Sequence, residues 1–287
     1  MPAATTHSEF AKDVYHSLNN NDQDLITDFN LFLVGAQGPD LLFFNGFSIL
    51  PGTTCPIGSM MHKEKIPEVI HYFDEHTKED KILRSYLYGY LCHYAMDSVI
   101  HPLVYAMTKV QKEKTNAPDM DIHFRIESEY DIYTLAKEGK TWHDYAVYND
   151  LKLNPTDTAT LAHLYQGMLA EVFHITLTTK KLERCIKDAS LMTRFLKPSE
   201  KKYNVAHGLE TVLHIPRRIT GMMLSGRKQY TALNEAHDQW HPVFDESIAY
   251  TDSYDDLYNK ARSFACNMIK ELDYNAINRT FNGEPMQ

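Results

Sequence analysis

Residues 86–105, YLYGYLCHYAMDSVIHPLVY, constrain this chain more than any other stretch. The run is strongly apolar, yet it carries His93, Asp97 and His101 at spacings of four. On an α-helix such residues share one face, about 6 Å apart along the axis. A helix this apolar belongs in a core, where imidazoles and carboxylates are costly unless paired or bound to metal. His93 and Asp97 are close enough to grip one ion together. His101 stands about 12 Å along the axis from His93, so those two cannot share an ion directly, whereas Asp97 between them can bridge two. The segment reads as a helix for more than one metal.

Helical spacing continues on both sides of it. Apolar periodicity predicts helices over residues 9–18, 22–34, 63–76, 79–110 and 120–139, then 156–177, 179–196, 205–224 and 251–273. Pro155 and Pro198 mark breaks, and Pro102 falls late in the long helix. No alternating strand pattern, internal repeat or low-complexity segment is visible, so the expected fold class is all-α. Residues 1–287 are expected to form a single domain, with a helical core in 1–150 that holds the metal site and a helical extension in 151–287 that carries no recognised motif. Residues 35–61 are rich in glycine and proline and should form an ordered loop carrying Asp40 and ending near His62; loops this long in compact domains are usually functional.

Composition narrows the function. The net charge of −9 leaves no basic excess for a general nucleic-acid or anionic-membrane surface, although a local basic or metal-lined cleft can still bind a phosphate. Cys55, Cys92, Cys185 and Cys266 occur singly, as in a reduced interior. The start, MPAATTHSEF, lacks a basic and apolar leader, and no run reaches the ~20 apolar residues of a membrane span. A cytoplasmic protein without a transmembrane segment is expected.

A second element, DIHFRIE, places His123 and Glu127 four apart, so that an imidazole nitrogen and a carboxylate oxygen face a common point, as zinc ligation requires. Two such pairs within 35 residues, with His101 between them, weigh more than either alone. The competing account is a set of core ion pairs and hydrogen-bonded histidines. Asp40 in GPD, His62 after the loop and His7 in an N-terminal TTH are each routine singly. His71 and His76 read as solvent-facing, and Asp131 as either a partner to a ligand histidine or a surface charge. His207 and His214, seven apart, suit a core or a cleft wall, and Arg217 with Arg218 reads as a solvated pair.

Taken together, TH at His7, GPD at Asp40, the loop His62, GYLCHYAMD followed by HP, and HFRIE resemble the zinc-dependent phospholipase C/P1 nuclease superfamily, in particular the bacterial zinc-dependent phospholipase C family. The likeness covers about residues 5–135. It implies a multi-helical, phospholipase C/P1 nuclease-like bundle with two to three Zn2+ in one cleft. By this resemblance Asp40, His62, His93 and Asp97 hold the first ion, and His101, His123 and Glu127 the second. His7 and the shared Asp97 hold a third, completed by the N-terminal amine, which here requires removal of Met1 and chelation by Pro2. In the family the histidine after the bridging aspartate lies six residues on, beyond a proline; here His101 is four on and precedes Pro102.

The implied activity is that of a hydrolase acting on phosphoric ester bonds, in which metal-activated water attacks a phosphodiester and Asp40 orients or deprotonates that water. A phosphoester or phospholipid is the expected substrate, with no stable nucleic-acid partner. A nuclease-like phosphodiesterase and a catalytically inactive, zinc-stabilised helical binding or scaffold protein are the alternatives. The same donors also accept iron, manganese or nickel. An HD-type phosphohydrolase is disfavoured, because the pairs His143-Asp144 and His237-Asp238 stand apart from the other candidate ligands.

Overall fold

The computed structural model describes residues 3–45, 53–115, 117–213, 220–221, 223 and 230–286. The long helix of the apolar run is its axis: α6, Lys81–Lys114, spans 34 residues, about 50 Å. Asp80 caps it by accepting the Leu83 N–H at 2.9 Å, and Lys112 and Lys114 lie in its last turn, where cations complement the helix dipole. Its buried positions run from Leu83 to Gln111 on every face, as suits a helix surrounded by others.

Before α6 come α1 (Ala4–Ser17), α2 (Asn20–Gln23), α3 (Phe29–Gly35), the 3₁₀ turn Gly38–Phe44, α4 (Cys55–Met61) and α5 (Ile66–Thr77). After it come α7 (Asp119–Lys137), α8 (Val147–Asp150), α9 (Pro155–Phe173), α10 (Thr179–Phe195), α11 (Glu200–Val212) and α12 (Tyr254–Lys270). Helices α1, α3, α5, α7 and α12 pack around α6, while α9 and α10 form an outer pair against α5, α8 and the 3₁₀ turn. One apolar core runs from Ala4 to Phe281. The fold is all-α as expected: among the described residues no strand occurs, only the isolated bridges Trp240–Tyr250 and Arg279–Pro285.

The closest approach in the bundle is between α3 and α6. A Cβ on Gly89 would lie 2.0 Å from the Phe32 carbonyl oxygen, and one on Gly35 would lie 2.2 Å from that of Tyr86. Two glycines therefore let the backbones touch, which draws residues 36–40 against the turns of α6 that carry His93 and Asp97.

Several elements differ from expectation. The predicted helix over 22–34 is two, because Asn19 caps α2 by accepting the Asp22 N–H and Asp28 caps α3 by accepting that of Leu31. The first helix starts at Ala4 rather than residue 9, so His7 is helical. Its early N–H at Thr6 is taken by the Asp131 carboxylate of α7, at 2.8 Å. The long loop holds the 3₁₀ turn, with Asp40, and α4, which ends at His62; its residues 46–52 lie outside the described residues. No helix is long and apolar enough to cross a membrane, again among the described residues.

Candidate metal centre

Five elements converge on a cluster centred on Asp97. Its Oδ1 lies 3.3 Å from His7 Nε2 on α1; its Oδ2 lies 3.2 Å from His93 Nε2, 3.6 Å from His101 Nδ1 and 3.9 Å from His62 Nε2. His62 Nε2 also meets Asp40 Oδ1 at 3.1 Å, and the His7 and His93 rings lie 4.2 Å apart. To the other side of His101, Glu127 Oε1 stands 3.4 Å from His101 Nε2 and 3.1 Å from His123 Nε2. All eight sequence-predicted residues are thus brought together. Among the described residues, three groups each hold possible ligand atoms within 4.8 Å of one another: His7, Asp40 and His93; His62, His93 and Asp97; His101, His123 and Glu127. Pro2 and the N-terminal amine lie outside the described residues, as do His214, Arg217 and Arg218.

Backbone carbonyls set which nitrogen faces inward. His62 Nδ1 pairs with the Gly58 carbonyl at 2.7 Å, His93 Nδ1 with that of Ala36 at 3.0 Å and His101 Nδ1 with that of Phe281 at 2.8 Å. Each bond occupies Nδ1 and leaves Nε2 to face the carboxylates, the outer bonding typical of metal-ligating histidines.

Electrostatics show a cluster in which protons stand where cations would. Burial pushes Asp97 up, but the positive charges of His101 and His93 outweigh it and hold the carboxyl well below the usual range. Asp40 and Glu127 are likewise held low against burial, with His62 and His93 contributing at Asp40 and His123 and His101 at Glu127. Burial lowers His101, yet Asp97 and Glu127 prevail and push it up to about 9, and His93 is raised in the same way by Asp97 and Asp40. His7 is the exception: burial and then the His93 charge bring it down to about 3, so it is neutral with a lone pair to give.

The residues fit a metal. Among the described residues, His7 Nδ1, His93 Nε2, His123 Nδ1 and Glu127 Oε2 are buried with no hydrogen-bond partner, a costly arrangement that a bound cation relieves for an atom it ligates. Mixed imidazole and carboxylate donors suit zinc.

Sequence reasoning missed several contributors. Phe281 is fully buried; besides accepting from His101 its backbone N–H donates to the His62 carbonyl at 3.1 Å, and its ring lies 5.1 and 5.4 Å from those of His62 and His93. Tyr105 stands beside His101 and His123, and its hydroxyl donates to Asn282 at 3.1 Å. Asp131 is no surface charge: it is buried and accepts both the N–H and the hydroxyl of Thr6, one residue before His7. His71 and His76 are exposed, as expected.

Residues 6–176 match a family described as zinc dependent phospholipase C, a span that holds all eight converging residues but not Phe281. No curated protein and no solved structure matches the chain. The match covers more than half of the sequence and agrees with an all-α fold and a buried cluster of histidines and carboxylates, so the chain belongs to the zinc-dependent phospholipase C family.

Proposed function

We propose that the chain is a zinc-dependent, phospholipase C-like hydrolase that splits a phosphodiester with water. The observation that carries this reading is one buried carboxylate, Asp97, within 4 Å of four imidazoles contributed by α1, the end of α4 and α6. His7, Asp40, His62, His93 and Asp97 would hold zinc on one side, and His101, His123 and Glu127 on the other, with two to three ions in all. Bound zinc polarises phosphoryl oxygens and acidifies a water towards a pKa of about 7.

The chain's own residues do the rest. Asp40 stays ionised at neutral pH and has one oxygen on His62, which suits it to accept a hydrogen bond from the attacking water. So low a basicity makes it an orienting group rather than a strong proton acceptor. The carbonyls of Ala36, Gly58 and Phe281 keep the imidazoles from turning, and burial of the cluster strengthens each charge in it. A phospholipid is the substrate class that the family supports.

The test is elemental mass spectrometry and hydrolysis, wild type beside Asp97→Asn. Wild type should carry two to three zinc equivalents and cleave a chromogenic phosphodiester and phosphatidylcholine in preference to single-stranded DNA. Asp97→Asn should lose zinc and about a hundredfold or more in rate, since a bridging charge is gone. Retention of both zinc and activity in Asp97→Asn would sink the proposal. Zinc held by wild type with no hydrolysis of any of the three would favour the scaffold alternative.

A further inference from the structure

Helix α11 is inside out. Its one buried residue is Glu210, 4% exposed, whose carboxylate accepts the N–H and the hydroxyl of Thr220. Its apolar side chains face water: Val205 is 63%, Leu209 56%, Val212 74% and Leu213 60% exposed. Positions 202, 205, 209 and 212–213 follow the three-and-four spacing of one helix face. Lys202 opens that face, with its ammonium 5.6 Å over the Phe195 ring and donating to the Phe195 carbonyl at 3.1 Å. The end of α10 therefore adjoins the same surface, and there Phe195 and, one turn earlier, Leu191 are 55% and 61% exposed.

Among the described residues, six of the fourteen exposed large apolar side chains fall within 191–213, and α11 packs extensively against no other helix. Apolar exposure gathered in this way marks a contact surface. The charges around it identify the contact. Residues 191–205 carry exposed Arg194, Lys197, Lys201 and Lys202 against Glu200, four positive less one negative, or +3, in a chain whose net charge is −9. A second copy would set these cations against themselves, whereas an anionic bilayer complements them and receives the apolar face at its headgroup boundary.

We propose that α11 and the end of α10 form a docking surface for an anionic lipid bilayer. The proposal deepens the phospholipase-like reading and rests on it for the substrate class. It also connects to the site: Glu210 holds Thr220, and the next residue's carbonyl, Gly221, accepts the Ser128 hydroxyl at 2.9 Å. The docking helix is thus anchored to α7 one residue from Glu127.

Co-sedimentation with vesicles of phosphatidylcholine, alone or mixed with phosphatidylglycerol, tests this without any catalytic readout. Wild type should partition onto the mixed vesicles, less so as salt rises, and far less onto phosphatidylcholine alone. Leu209→Asp with Val212→Asp, and separately Lys201→Glu with Lys202→Glu, should each lower the partition coefficient about tenfold or more. Both variants should keep wild-type zinc content and hydrolysis of a soluble phosphodiester. Unchanged binding in both variants, or no binding of wild type to anionic vesicles, overturns the proposal. So does a wild-type dimer in analytical ultracentrifugation that Leu209→Asp disperses, because a second copy would then cover the face. Vesicle binding with no phosphodiester hydrolysis would remove the catalytic reading and leave the docking surface standing.

Discussion

Phe281 offers the sharpest perturbation of the site from outside the family match. Its ring is fully buried and lies within 6 Å of Tyr90, Tyr94, His62 and His93, while its backbone bonds both His101 and His62. Truncating a buried phenylalanine costs about 3–5 kcal/mol from lost burial and the residual cavity. The carbonyl survives in Phe281→Ala, but the turn that aims it is no longer held, so His101 should lose its fixed tautomer. Losing such an outer bond lowers metal affinity about 10–100-fold. Phe281→Leu keeps most of the volume and should cost less than about 1.5 kcal/mol with zinc affinity near wild type. Urea denaturation of the zinc-loaded proteins and zinc competition against a chromogenic chelator measure the two effects separately. If Phe281→Ala is destabilised as stated yet holds zinc like wild type, the carbonyl does not orient His101 for metal. If it is not destabilised, the ring is not core.

Two further outcomes follow from geometry and charge. In chelator-treated protein His101, with its pKa at about 9 against an ordinary 6.5, adds stability that is full below pH 6.5 and lost as pH rises through 9. His7, at about 3, acts oppositely, so that stability falls as pH drops below 6.5. Urea midpoints should therefore peak near pH 6.5, with a slope of about 1.4 kcal/mol per pH unit for each fully titrating group; a steady rise from pH 5 to 9 would refute the assignment. Gly89→Ala should destabilise by about 1–3 kcal/mol despite alanine's better helix propensity, because its Cβ meets the Phe32 carbonyl oxygen at 2.0 Å. A urea midpoint at or above wild type would show that α3 and α6 can part at no cost.

What the sequence made legible is what side chains encode locally. His93 with Asp97 and His123 with Glu127 were readable because a helix converts a spacing of four into a shared face, and both pairs meet as that geometry requires. The break between α2 and α3 was also written locally, in the caps Asn19 and Asp28, but apolar periodicity over 22–34 masked it. The carbonyls of Ala36, Gly58 and Phe281 were not legible, since every residue has one and only the fold selects which of them meets an imidazole. Asp131 was ambiguous for a related reason. Its partner, Thr6, is 125 positions away, and nothing around either residue records the other.

The His101-Pro102 dipeptide shows how a local rule and a distant segment combine. Proline has no N–H, so Pro102 cannot donate to the Ser98 carbonyl one turn back, and α6 carries a gap in its ladder there. Gly283, at φ 80°, sits against that gap: a Cβ on it would lie 2.4 Å from the Pro102 ring and 2.8 Å from the Ser98 oxygen. Only a residue without a side chain can approach so closely in a left-handed conformation. The C-terminal turn is thereby seated on the proline, and two residues earlier Phe281 presents its carbonyl to His101 Nδ1. With Nδ1 engaged, Nε2 of His101 turns to Glu127 on α7. Pro102 is thus the docking point for the segment that aims the histidine before it, so the cluster of histidines and carboxylates is completed by residues more than a hundred positions beyond the family match.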